Sequence, residues 1–174
     1  MQQNVPSLGE LLRDARRSAV HLEMRDSYGV SHESAEFELW KRTGDLDLDP
    51  ESEGWGAWSG MAREAVGRGV AMRRARIVSE SVTDYIRFEH AATVVNLSLG
   101  EDVRWLPRRL ASDIALPGND FWLFDDRVVR FGHFTGDGEL VGHEIRTEPA
   151  VVKLCADAIE GVWSRAIPHE KYSV

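Results

Sequence analysis

Apolar residues recur at helical spacing over the first part of the chain and at sheet spacing over the last. Leu8, Leu11, Leu12, Ala15, Ala19 and Leu22 fall on one stripe, with Arg13, Arg16 and Arg17 off it. Ser7 and Glu10 have capping-box spacing, so a helix is predicted from Leu8 until Tyr28-Gly29. A second helix follows Ser31 with Phe37 and Trp40 on its apolar face, and Gly44 closes it. A third uses Trp55, Trp58, Met61, Ala62, Ala65 and Val66, and stops at Gly67-Arg68-Gly69. Val70 to Val78 reads as a strand. Ser81 with Asp84 then opens a helix whose buried side holds Tyr85, Ile86, Val94 and Leu97, ended by Gly100.

Asp102 to Leu106 is a short strand stopped by Pro107, and residues 107–119 read as irregular. From Phe121 the period changes to two. Phe121–Phe124 and Val128–Phe134 are strands around an Asp125-Asp126-Arg127 turn. Thr135-Gly136-Asp137-Gly138 signals a hairpin that returns through Glu139–Ile145. Thr147 is the predicted cap of a last helix with Pro149 in its first turn. Val151, Val152, Cys155, Ala158, Ile159, Val162 and Ala166 form its inner stripe. The expected fold is α+β. It has a mixed parallel and antiparallel sheet of about five strands covered by helices, preceded by an N-terminal helical pair. The helix between the first two strands makes them parallel neighbours. The acidic run Asp45–Gly54 is the best candidate boundary. It divides the chain into a helical extension, 1–54, and a sheet domain, 55–174, or is a loop in one continuous domain, 1–174.

Composition narrows the function classes. The chain has 174 residues and a net charge of -8, which disfavours nucleic acid and anionic membranes as partners. Met1–Asn4 begin no signal peptide, and no run approaches the roughly 18 apolar residues of a membrane span. Cys155 is the one cysteine, which fits a reducing cytoplasm.

Candidate chemistry centres on Arg73, Arg74 and Arg76, because a buried parallel strand is normally apolar throughout and unpaired interior charge is costly. Arg74 and Arg76 share a face. They either bind a carboxylate or phosphate or pair with Glu80, Asp84 or Glu89 as an ion network. The segment Ser79–Arg87 leads from a strand's carboxyl end into a helix N-terminus, a place that either caps the helix or attracts anions. Tyr85, Arg87, Trp122 and Asp125 complete the candidate ligand-binding set with Arg74, Arg76, Glu80 and Asp84. Asp125-Asp126 is an acid/base pair or a turn former. Trp58 and Trp122 are candidate exposed anchors for a protein partner. His133 and His143 lack convincing ligand spacing, so no metal or cofactor is expected.

Two resemblances extend this reading. The runs Gly69-Val70 to Glu80, Thr83-Asp84-Tyr85, Asp120 to Asp126, Gly136-Asp137-Gly138 and Ala166-Ile167-Pro168 with Tyr172 resemble an actinobacterial family, domain of unknown function 6879. Genes of that family often lie near helix-turn-helix regulators, which implies such a regulator as a partner. More remotely, residues 56–165 look like half of a phospholipase-D-like domain, with its helix ending near Trp163. Active members of that family carry His-x-Lys and an Asp some five residues beyond the Lys. Matching Asp125 to that Asp puts Gly118 and Asp120 at the His and Lys positions. Matching Asp126 puts Asn119 and Phe121 there. The catalytic pair is missing in either register. The expected function is therefore a non-catalytic cytoplasmic binding or regulatory module for a small anionic or polar ligand or a regulator protein. The alternative is an enzyme of specialised metabolism using Glu80, Asp84 and Asp125 in the same cleft.

Overall fold

Three parallel strands run through the middle of the molecule. In the computed structural model, which describes residues 5–29 and 31–174 and of 31–34 only the backbone, they are β1 (Ser18–Glu23), β2 (Ala71–Val78) and β3 (Asp102–Pro107). The antiparallel meander of β4 (Phe121–Phe124), β5 (Val128–Phe134) and β6 (Leu140–Arg146) joins them through β4 beside β1. A two-residue β7 (Ile167–Pro168) pairs antiparallel with β3. The order across the sheet is β6-β5-β4-β1-β2-β3-β7. The mixed α+β architecture is as predicted, with seven strands among the described residues rather than about five.

The helices are α1 (Leu8–Asp14), α2 (Ser31–Thr43), α3 (Glu53–Gly67), α4 (Asp84–Ser98) and α5 (Pro149–Trp163). Alternation along the strands divides them between two layers. Val20, Leu22, Ala75, Ile77, Phe121 and Leu123 face α5, and meet its Val152, Cys155, Ile159 and Val162. Ala19, Met72, Trp122 and Phe124 face the other way, against α1, α3 and the end of α4. α2 lies outside α4, packing Phe37 and Trp40 on Tyr85 and Phe88.

Several expectations are corrected. The first helix ends at Asp14, and Ala19 and Leu22 of its supposed stripe lie in β1. Residues 18–23 therefore supply a central strand between α1 and α2, so the N-terminal part is not a helical pair. Thr83, not Ser81, caps α4 by accepting from the Ile86 N–H. Val94 of that helix is exposed, while Phe88, Ala92 and Val95 are buried. Glu148 rather than Thr147 is the cap residue of α5. The capping box at Ser7 and Glu10 and the stop at Gly69, with φ near +87°, are as predicted. No helix among the described residues is long and apolar enough to cross a membrane. Met1–Asn4, read above as beginning no leader, lie outside the described residues.

Candidate ligand site

Register builds the site. On the face turned toward α1, α3 and α4, one row across the sheet reads Arg130, Trp122, His21 and Arg74. The next row reads Glu23, Arg76 and Trp105. Neighbouring strands thus set acid, guanidinium and indole side by side with little freedom, because a one-residue slip would turn every one of them to the α5 layer.

Among the described residues the guanidiniums are shared out among three carboxylates. Glu23 Oε1 accepts from Arg74 Nη1 at 2.7 Å, and Glu23 Oε2 lies 2.6 Å from Arg76 Nε. Glu101, just after the α4 stop, accepts from Arg74 Nε at 2.8 Å and from Asn96 at 2.7 Å. Glu89 on α4 pairs with Arg76 Nη1 and accepts from the Tyr85 hydroxyl at 3.2 Å. Indoles back the cations: Arg74 lies 5.7 Å from the ring centres of both Trp58 and Trp122, and Arg76 5.1 Å from that of Trp105. Burial would raise the Glu23 carboxyl, but Arg76 and Arg74 outweigh it and hold it well below the usual range. His21 stacks on Trp122 at 4.3 Å, and burial pushes its imidazole down to about 3, so it is neutral at pH 7.

Above this floor is a cavity of about 540 Å³. Trp55, Trp58, Met61, Leu46, Tyr85 and Phe88 form its walls. Glu36 of α2 lines it as well, with a carboxylate oxygen 3.1 Å from where a Gly54 side chain would begin. A comparably large groove beside the β4–β5 turn, lined by Arg127, Pro149 and Lys153, meets none of this network.

Of the eight predicted residues, Arg74, Arg76, Tyr85 and Trp122 come together here. The other four do not. Glu80 is exposed and pairs with Arg109 at 3.0 Å, while Asp84 and Arg87 pair with each other at 3.1 Å on the outer surface of α4. Asp125 sits at the opposite ends of β1 and β4, occupied by backbone N–H groups. Of the ion partners proposed for the arginines only Glu89 is used, and Arg73 turns to the other layer, onto Glu160 and Trp163. Trp122 is buried, and Trp58 is half-buried beside Arg74, so neither is a free surface anchor. Sequence reasoning missed Glu23, Glu101 and Trp105. The alternation of Val20 and Leu22 with His21 and Glu23 is the signal that could have found the first.

One acid beside the network is unusual. Asp120 is buried; it accepts from the Met24 N–H at 2.9 Å and from the Tyr28 hydroxyl. Burial raises its carboxyl to about 6, and the nearby Glu23 adds to the rise against the lowering effect of Tyr28. The folded chain therefore binds this proton more tightly than the unfolded chain. Stability from Asp120 is fully present below about pH 4 and lost as pH rises through about 6. Asp120→Asn is expected to raise stability at pH 7.5 by roughly 1–2 kcal/mol, since one pKa unit is worth about 1.4 kcal/mol and the amide keeps one acceptor. Urea melts at pH 4.5 and 7.5 check this: a stability difference equal at both pH values would refute it.

The fold defined by this sheet and its layers is phospholipase-D-like. A phospholipase D family member, Nuc from Salmonella typhimurium, superposes with a TM-score of 0.54 at 14% identity, over 92% of this chain and 86% of that one. TrmBL2, an archaeal chromatin protein with a novel mode of DNA binding, covers 91% of this chain and 47% of its own at 13% identity; its TM-score of 0.48 is too low to support a comparison. No curated protein matches the sequence significantly. The chain belongs to the family described as domain of unknown function DUF6879, whose profile matches residues 6–174.

Proposed function

We propose that the protein is a non-catalytic binding or regulatory module that holds a small polar molecule in the cavity over Arg74 and Arg76. The observation carrying this reading is the cavity itself: aromatic walls around a buried, fully cross-paired ionic floor, the usual composition of a small-ligand pocket. An anionic ligand, the other half of the expectation, is less favoured. It would have to displace Glu23, Glu89 or Glu101 from a guanidinium, and breaking one buried pair costs about 3–5 kcal/mol. The positions matching a phospholipase nucleophile and cation support a non-catalytic role. The nucleophile positions hold Gly118 or Asn119, and of the cation positions Asp120 is bound to Tyr28 and Met24 while Phe121 is core.

A helix-turn-helix regulator as partner draws less support. Its supposed anchors face the buried network, and apart from the adjacent Leu140 and Val141 of β6 the exposed Leu39, Val94, Leu110 and Leu154 lie on separate elements. The enzyme reading draws on Asp120, whose raised carboxyl suits proton transfer near pH 6, rather than on Glu80, Asp84 or Asp125. Cytoplasmic action, in keeping with the free buried Cys155, and the actinobacterial source complete the proposal. Native mass spectrometry of the purified chain is expected to show a retained small molecule that leaves on denaturation. A bare-chain mass, with no rise in melting temperature on adding a soluble metabolite extract, would overturn the binding role. Hydrolysis of bis(p-nitrophenyl) phosphate would overturn the non-catalytic one.

A further inference from the structure

Building on the reading of this cavity as a ligand site, we infer that its occupant is an organic cation, a protonated amine carried on an apolar body. Charge is the first ground. Among the described residues two guanidiniums meet three carboxylates in the floor, which leaves one negative charge in excess, and His21 beside Arg74 is neutral. Among the described residues the lining adds no further cation: Arg130, one strand beyond Trp122 on the same face, acts on His21 but does not line the cavity.

The mouth points the same way. Glu36 lines the cavity, and Asp47 Oδ2 lies 3.8 Å from where a Gly54 side chain would begin. Asp47 belongs to the connection 44–52, which also carries Asp45, Asp49 and Glu51, the last paired with Arg63. An approaching cation meets a negative rim before a negative floor, and an approaching anion is repelled by both.

The walls supply the third ground. Trp55, Trp58, Tyr85 and Phe88 present ring surface, whose faces attract cations, and Met61 and Leu46 add apolar area for the rest of the ligand. The protein's own side chains already use this chemistry there, with Arg74 set over Trp58 and tied to carboxylates behind it. An ammonium entering the cavity repeats that arrangement with ligand in place of side chain.

Three probes of one shape test the charge preference: phenethylammonium, 2-phenylethanol and phenylacetate, titrated into the full chain at low salt by calorimetry. The indole N–H resonances of Trp55 and Trp58 report where they bind. The ammonium is expected to bind at least ten-fold tighter than the alcohol, with phenylacetate weakest and both indole signals moving. Glu36→Gln should weaken the ammonium about three-fold and leave the alcohol unchanged, and added salt should act in the same direction. If the alcohol or phenylacetate binds as tightly as the ammonium at those indoles, the cation inference fails while the ligand cavity stands. If none of the three moves either indole signal, the ligand cavity fails with it.

Discussion

Glu23→Gln is expected to cost about 3–5 kcal/mol of folding stability, a large part of what a domain this size possesses. Among the described residues Glu23 is the one carboxylate that touches both guanidiniums, through Oε1 to Arg74 and Oε2 to Arg76. Both arginine side chains are about nine-tenths buried or more. Removing the charge leaves two like cations side by side in the sheet face, each short of a partner and shielded from water. Glu101→Gln should cost less, because Arg74 would still hold Glu23. The pairs are coupled, so Arg76→Met combined with Glu23→Gln should lose less than the two single losses together, by about 1–3 kcal/mol. The Glu23 contribution is fully present above pH 4.5 and disappears as pH falls through its depressed value near 2. Urea unfolding at pH 7 measures the effect, and a loss under 1 kcal/mol would mean the network is solvated and the buried floor is not as described.

The parts of the fold legible from the sequence are those specified locally. α3 with its Gly69 stop, β2, the β5–β6 hairpin around Gly138 and the α5 stripe all rest on short-range pattern, capping and turn residues. β1 was not legible in that way. Leu8 to Leu22 satisfies a helical stripe on paper, and what ends the helix at Asp14 lies more than a hundred residues away in Asp125. β7 is two residues long and exists only through β3. The candidate site divides along the same line. Arg74 and Arg76 stood out because guanidiniums in an interior strand violate the expected apolar run, and Tyr85 because it begins a helix after that strand. Glu23 was hidden inside a misassigned helix, so its role as the common acceptor could not be inferred. Glu80 and Asp84 are near Arg76 in sequence only. The chain turns away after Val78, and α4 carries Glu89, one turn further on than Tyr85, to the guanidinium instead.

Loss of the Asp125 carboxylate should be almost as damaging as loss of Glu23, although this acid is remote from the cavity. Asp125 Oδ2 accepts from the Arg16 N–H at 2.9 Å, and Oδ1 accepts from Arg17 at 2.7 Å and Ser18 at 2.9 Å. Three successive amides that would otherwise continue α1 are turned onto one side chain, and the chain leaves the helix to enter the sheet as β1. The Asp125 amide in turn donates to the Ser18 carbonyl at 3.0 Å, which fixes β4 against β1. Asp125 and Asp126 both have φ above +50°, a conformation that Asp and Asn tolerate and Ala does not. Asp125→Ala thus removes three charge-assisted hydrogen bonds and adds turn strain, for an expected loss of about 3–4 kcal/mol. Asp125→Asn keeps the turn conformation and one acceptor oxygen, and should recover about half of that loss. Amide exchange separates this effect from a general one. The N–H groups of residues 16–18 should lose protection first in Asp125→Ala while those of α5 keep theirs until global unfolding. Equal loss of protection in α5 and residues 16–18, or a stability change under 1 kcal/mol, would show that the α1–β1 junction is held by packing rather than by this carboxylate. Since β1 carries Glu23 and His21 into the site, the same variant should also loosen the floor of the cavity without touching any residue that lines it.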